Sequence, residues 1–213
     1  MGSVTVVDEV LIRHRSPFEG HQPGTWRTRD GHVGVHLSAG TVASVTQVAT
    51  WPGAGEALGD VLAAALACAV PARTGDTVAL DRGVLVRSGP EEFLLLSGQS
   101  TDMRTLLHQH IAPATGSVTD LSHARCQIHI TGDKCRDTLS KLFALDLREQ
   151  QFPLEQVRLT GHHHVPCLLH RRGVDSFDIY VFTTYAFDQL ATLVDAAREY
   201  GVSLAVSHAH GAV

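Results

Sequence analysis

The period of the apolar positions changes repeatedly along the chain, and each change predicts an element. Residues 41–50 are rich in Val and Thr and end at Trp51-Pro52-Gly53, which reads as a strand and its breaker. From about Gly55 to Val70 the spacing becomes helical, with Ala57, Leu58, Val61, Leu62, Ala65, Leu66 and Ala69 on one face and Pro71 closing the run. Two short apolar runs, 84–86 and 93–96, flank Ser88-Gly89-Pro90-Glu91, which is turn chemistry inside a hairpin. Ser100 or Thr101 then caps a predicted helix to about Ile111 that carries Met103, Leu106, Leu107 and His110 on one face, and Pro113 ends it.

The same order follows a second time. Cys126, Ile128 and Ile130 alternate inward against Gln127 and His129, as in a half-buried strand. A helix opening at Gly132-Asp133 places Cys135, Leu139, Leu142 and Phe143 together. A linker with Phe152-Pro153 leads to a hairpin of 165–170 and 177–182 around Arg172-Gly173. Thr183 or Thr184 caps a last helix with Phe187, Leu190, Ala191, Val194 and Ala197 on its core side, and Gly201 follows as its C-cap. The two series are offset by roughly 80 residues, too long for a solenoid repeat. Neither half alone buries both faces of its sheet, so the halves must pack on each other. The predicted fold class is α+β, a duplicated strand-helix-hairpin-helix unit with pseudo-twofold character.

Residues 1–40 have a different texture. Short apolar touches at 4–7 and 10–12 precede Pro17, Phe18, Pro23 and Trp26 among Gly, His and Arg, with no sustained period. This segment reads as an extended N-terminal arm anchored by Phe18 and Trp26, the alternative being a frayed terminus. The expected division is therefore an arm over 1–40, a duplicated domain over 41–204 and a tail over 205–213.

Composition narrows the function classes. The chain has 213 residues, 44% of them hydrophobic, enough for a well-buried core. A net charge of −5 with scattered Lys and Arg offers no basic stripe, so nucleic acid is not an expected partner. No apolar run approaches the roughly 20 residues of a membrane span, and Met1 to Gly20 lacks the build of a signal peptide, so no membrane association and a cytoplasmic location are expected. Four well-separated cysteines, with no C-x-x-C pair, read as buried reduced thiols. Neither a Gly-x-Gly-x-x-Gly nor a P-loop follows any strand.

Three clusters invite a chemical reading. Ser122 and His123 are adjacent, and neighbouring strand residues point to opposite faces, so they are not expected to act as nucleophile and base; capping by Asp120 and Ser122 is expected instead. His162, His163 and His164, with Cys167 near, offer metal ligands, yet adjacent residues rarely converge on one ion and no His-Glu-x-x-His occurs. His208 and His210 are expected to be solvated. No metal site is expected.

Several strings then fall in a recognisable order: Trp51-Pro52-Gly53, Gly89-Pro90-Glu91-Glu92-Phe93-Leu94, Asp120-Leu121-Ser122-His123, Leu145-Asp146-Leu147, Phe152-Pro153 and Phe177-Asp178-Ile179-Tyr180-Val181. Over about Val42 to Gly201 the chain resembles the gamma-subunit family of heterotetrameric sarcosine oxidases, relatives of the folate-binding aminomethyltransferase of glycine cleavage. The resemblance implies an aminomethyltransferase-like fold. It also implies membership of a complex with alpha, beta and delta subunits that demethylates sarcosine to glycine using oxygen and tetrahydrofolate. It places NAD and folate in alpha, FAD and covalent FMN in beta and zinc in delta, with no cofactor and no catalytic residue in this chain. The implied role is architectural. Asp146 matches an aspartate that works at folate in the aminomethyltransferases, which makes it the one candidate for a cofactor contact. Its neighbours Leu145 and Leu147, and the histidines where a tyrosine is expected, favour a solvated or backbone-capping carboxylate. A complex oxidising another N-methyl amino acid and a stand-alone folate-binding protein are the alternatives.

Overall fold

The computed structural model describes residues 15–42, 44–97 and 103–207. In chain order the elements are β1 (Gly24–Trp26), β2 (Val35–Thr41), β3 (Ser44–Thr50), α1 (Gly55–Leu66), β4 (Thr77–Leu80), β5 (Gly83–Gly89), β6 (Glu92–Ser97), α2 (Met103–His110) and β7 (Gly116–Asp120). They continue with β8 (Arg125–Thr131), α3 (Cys135–Ser140), β9 (Val157–His162), β10 (Val165–Gly173), β11 (Ser176–Phe182), α4 (Ala186–Ala197) and β12 (Val202–Val206).

The duplication is complete at the level of topology. The series β3-α1-β4-β5-β6-α2-β7 is followed by β8-α3-β9-β10-β11-α4-β12, and the sheet orders β4-β5-β6-β3 and β9-β10-β11-β8 correspond. Each expected hairpin is a three-stranded meander, because β4 and β9 pair with its first strand. The sheets differ beside β8 and at the far edge, where β1 pairs with β12 and has no counterpart. In the five-stranded sheet β7 pairs directly with β3, whereas in the seven-stranded sheet β2 takes that position beside β8 and β12 runs parallel to β2.

A matching device closes each meander. The register shifts between Arg87 and Gly89 in one half and between Arg171 and Gly173 in the other. At each bulge the arginine Nε donates to the glycine carbonyl, at 3.3 and 3.2 Å, and the guanidinium lies over an aromatic ring, Phe93 or Phe177. The backbone N–H groups of Arg87 and Arg171 donate to the carbonyls of Asp76 and Gln156. Those two equivalent residues meet each other, Gln156 Nε2 donating to Asp76 Oδ1 at 3.1 Å. Beside them the Val157 N–H donates to Gly75 O at 2.8 Å and the Thr77 hydroxyl donates to Glu155 O. The pseudo-twofold axis therefore passes where β4 and β9 begin. Gly75 and Glu155 occupy equivalent left-handed positions, and at Gly75 a Cβ would lie 2.9 Å from Val157 O, so only glycine fits.

Alternation along the strands distributes the core into layers. Leu37, Ile128, Ile130, Leu169 and Ile179 of the large sheet pack under Leu139 of α3 and Leu190 and Leu193 of α4. Val48, Leu85, Phe93 and Leu95 of the small sheet pack under α1 and α2 through Leu58, Leu62 and Leu107. Between the sheets Val45, Val86, Leu94 and Leu96 meet Val157, Leu168 and Tyr180. The order is helices, sheet, sheet, helices.

Some expectations are corrected. Residues 15–40 are not an arm lying over the domain: Val35, Leu37 and Ala39 alternate into the main core, and β2 hydrogen-bonds on both sides, so the boundary expected at 41 falls inside the large sheet. Phe18 is fully buried in that core, while Trp26 is half-exposed under the Arg198 guanidinium. Residues 1–14 lie outside the described residues. The boundary at 204 cuts β12, whose Val202 and Leu204 face the core; 208–213 are outside the described residues. Helix α1 ends at Leu66 because Ala67 turns left-handed (φ 50), four residues before Pro71. Helix α3 stops at Ser140, short of Leu142 and Phe143. Thr183 does not cap α4: a 3₁₀ turn precedes the helix, and the Thr183 hydroxyl donates to His123 O.

The paired arginines predict unequal costs. Arg171 is fully buried and donates to Phe152 O at 2.5 Å, whereas Arg87 is half-buried. Arg171→Ala opens a cavity and orphans buried carbonyls, so it should lower unfolding stability by about 3–5 kcal/mol, and Arg87→Ala by about 1 kcal/mol. Urea denaturation of the two variants measures the ratio.

Candidate functional site

Beyond the seam between the sheets, the face of the large sheet opposite α3 and α4 turns polar. On β2, β8, β11 and β10 the residues that alternate against the core positions are Ser38, His129, Asp178 and His170. The strand register aligns them in one row: Ser38 opposite His129, His129 opposite Asp178, Asp178 opposite His170. Cross-strand partners stand about 4.5–5.5 Å apart at Cβ, so these side chains are mutual neighbours.

His129 Nδ1 lies 2.6 Å from Asp178 Oδ1. Burial pushes the Asp178 carboxyl up, but hydrogen bonds from His129 and Gln127 outweigh it, and its pKa falls below the usual carboxylate value. An ionised carboxylate only accepts, so His129 Nδ1 is the donor, and in the neutral ring Nε2 is an acceptor. Arg172 places Nη1 3.4 Å from Glu155 Oε2 and Nε 3.8 Å from Asp178 Oδ2. His170 is fully buried; its Nε2 is 3.3 Å from Glu155 Oε2 without an aligned hydrogen bond, and burial first, then Arg172, lowers its pKa. Above this row lies a cleft of about 460 Å³ lined by Ser38, Gly40, Gln127, His129, Arg172 and Asp178.

The residues singled out from sequence lie elsewhere. Asp146 is exposed and tied to Arg148, whose backbone N–H donates to Oδ1 at 3.0 Å and whose guanidinium forks onto both carboxylate oxygens. These hydrogen bonds hold its carboxyl at about 2, and its contacts are those of a surface turn. Asp120 is the last residue of β7, and Ser122 and His123 sit in the turn that follows, not on a strand. Asp120 accepts from the Ser122 N–H and hydroxyl, and the Val45 N–H donates to Ser122 Oγ, so the pair fixes a turn against β3.

His163 and His164 form the two-residue turn between β9 and β10, both with positive φ, while His162 is fully buried beside the Phe143 ring. Among the described residues no group of three or more His, Cys, Asp or Glu is arranged to hold a metal ion. The four cysteines are unpaired; Cys126, Cys135 and Cys167 are buried, and burial raises Cys135 to about 12 and Cys167 to about 11, which leaves inert thiols. Sequence reasoning placed His129 outward, but it did not reach the row, because register between strands this far apart leaves no local pattern.

The comparisons with known proteins agree with one another. The family model described as the GCVT N-terminal domain matches residues 71–212. The sarcosine oxidase subunit gamma of Corynebacterium sp. (strain U-96) is 26% identical over 204 residues, covering 95% of this chain and 98% of that protein. The subunit of the same name from Arthrobacter sp. is 26% identical over 201 residues, covering 94% and 97%. Among solved structures, a chain of the heterotetrameric sarcosine oxidase from Corynebacterium sp. U-96 in complex with pyrrole 2-carboxylate superposes with a TM-score of 0.72 at 26% identity, over 79% of this chain and 88% of that one. The glycine cleavage system aminomethyltransferase T from Bartonella henselae shares the fold, with a TM-score of 0.60 at 14% identity, over 82% of this chain and 48% of that one. Among the described residues no helix is long and apolar enough to cross a membrane.

Two outcomes follow from these placements. His162, held neutral by burial, has its pKa lowered to about 4 from 6.5. A depressed histidine pKa means that the unfolded chain binds the extra proton, so this contribution is intact above pH 6.5 and is lost as pH falls towards 4. The loss is on the order of 2–3 kcal/mol, and His162→Leu should flatten that acid limb in urea midpoints taken at pH 5 and 7.5. Asp146→Asn, which breaks only an exposed pairing, should leave the melting temperature and any assembly unchanged by calorimetry and gel filtration.

Proposed function

The chain belongs to the GCVT N-terminal domain family, and we propose that within it this protein is the gamma subunit of a heterotetrameric sarcosine oxidase complex. The observation that carries the reading is the end-to-end correspondence with gamma subunits: 95% of this chain against 98% of the Corynebacterium relative, with the same fold. The activity to which the complex is assigned is oxidative demethylation of sarcosine to glycine, with oxygen as electron acceptor and tetrahydrofolate taking the one-carbon unit. Alpha, beta and delta subunits are the partners in this reading. FAD, FMN, NAD and zinc belong to those subunits, and the location is cytoplasmic.

In this assignment the chain's own role is architectural. The substrate would sit beside the flavin in another chain, so nothing here selects sarcosine over a different N-methyl amino acid.

Co-expression of the tagged chain with the alpha, beta and delta chains of a heterotetrameric sarcosine oxidase should give one species by size-exclusion chromatography that carries flavin absorbance and consumes oxygen on addition of sarcosine. A stable monomer that ignores the flavin-bearing chain would overturn the assignment. Isothermal titration of the isolated chain with tetrahydrofolate should be silent. Micromolar binding would instead support a stand-alone folate protein.

A further inference from the structure

We propose that the cleft over Ser38, His129, Asp178 and Arg172 is a binding site for a small molecule carrying an oxyanion, a carboxylate or a phosphate, next to a hydroxyl or amine proton. The proposal concerns this chain's own residues and stands whether or not the chain works in a complex.

The frame comes first. The Asp178 side chain is 10% exposed, with Oδ1 engaged by His129 and Oδ2 facing the Arg172 Nε. A carboxylate this buried and paired is part of the scaffold and has little left to offer a cation. Arg172 in the same lining repels one. Next to Asp178 in the row, His170 is fully buried, and burial lowers its pKa; among the described residues that line the cleft, Arg172 is the one that carries a fixed positive charge.

The groups left over define the ligand. Asp178 locks the His129 ring with Nδ1–H inward, and Nε2 has no partner among the described residues. In the neutral ring that nitrogen accepts a proton-bearing group, the same tautomer logic by which a buried aspartate orients a general base. The Ser38 hydroxyl, across the strand pair from His129, likewise has no partner among the described residues. Arg172 uses Nη1 on Glu155 at a long 3.4 Å and has no Nη2 contact among the described residues, on a side chain that is 37% exposed. A guanidinium presents a planar fork that carboxylates and phosphates match in two bonds, which a point charge does not. The volume of about 460 Å³ lies in the range of small-ligand pockets.

A row that only holds strand register would leave His129 and Arg172 hydrated and indifferent to anions. Diethylpyrocarbonate, which acylates unprotonated imidazole nitrogen, separates the two cases because peptide mass spectrometry reads each histidine individually in the full chain, alone or within an assembly. His129 should be labelled. Inorganic phosphate, acetate or glycolate should slow that labelling about tenfold at roughly ten times its Kd, without slowing the exposed His163. Protection by phosphate alone identifies a phosphate ligand, and protection by the carboxylates alone a carboxylate; either supports an oxyanion site. Arg172→Gln should abolish protection while His129 still labels, and Arg172→Lys should keep part of it. Failure of all three anions to protect His129 would overturn the proposal, as would equal protection of His163 or undiminished protection in Arg172→Gln.

Discussion

The constraint on which this fold rests is that each half covers only one face of its sheet with helices. The other face must find apolar cover, and it finds the matching face of the second half: Val45, Val86, Leu94 and Leu96 against Val157, Leu168 and Tyr180. Each such side chain contributes on the order of 2 kcal/mol when fully buried, so the seam is large on the scale of a domain's net stability. Separated halves would expose it, which makes two halves one folding unit despite their separate helix-covered cores.

The seam is held in register by polar contacts around the pseudo-twofold axis. Asp76 and Gln156 are equivalent by topology and hydrogen-bond each other, while each also receives the backbone N–H of its own half's bulge arginine. The bulge arginines then bind backbone carbonyls through a guanidinium that also covers an aromatic face. A guanidinium suits this position because it offers several donors in a fixed plane, enough for carbonyls that the bulge removes from the ladder. The same device serves at a half-buried site in one half and at a fully buried one in the other.

Much of this was legible in the sequence, and what was not has specific causes. The helical spacing of 57–66 and the alternation of 126–130 are strong local signals, and the two series of elements revealed the duplication. Strand β2 was missed although Val35, Leu37 and Ala39 alternate cleanly, because the Pro, Gly and His residues before it masked a run of only seven residues. Strand β7 carries one apolar residue, Val118, and its place is fixed by pairing with β3 alone. Strands β4 and β9 are edge strands added to a hairpin, where half-exposed residues erase the period. The carboxylate chosen from sequence, Asp146, satisfies itself within two residues. Asp178 stood in a recognised string, yet its partners lie 49 residues away on β8 and on a neighbouring strand of the sheet.

A break in the symmetry, the insertion of β2, accompanies the polar cleft. Had β12 paired beside β8 as β7 pairs beside β3, the two sheets would be nearly equal and would cover each other. Insertion of β2 pushes β12 outward, and with β1 added beyond β12 the large sheet has seven strands against five. The part of the large sheet's face beyond the seam cannot be apolar without exposing a patch, and it carries Ser38 of β2 with Gln127 and His129 of β8 instead. Asp178 sits at the border between the covered and open regions, beside the seam residue Tyr180 two positions along β11, and burial there obliges it to take a partner. His129 is that partner because β8 is the neighbouring strand and its alternation points the imidazole the same way. The inserted strand, and with it Ser38, lies before residue 71, outside the stretch that the family model matches. The shared domain therefore supplies the histidine, the aspartate and the arginine, while the segment ahead of it sets the width of the sheet that exposes them.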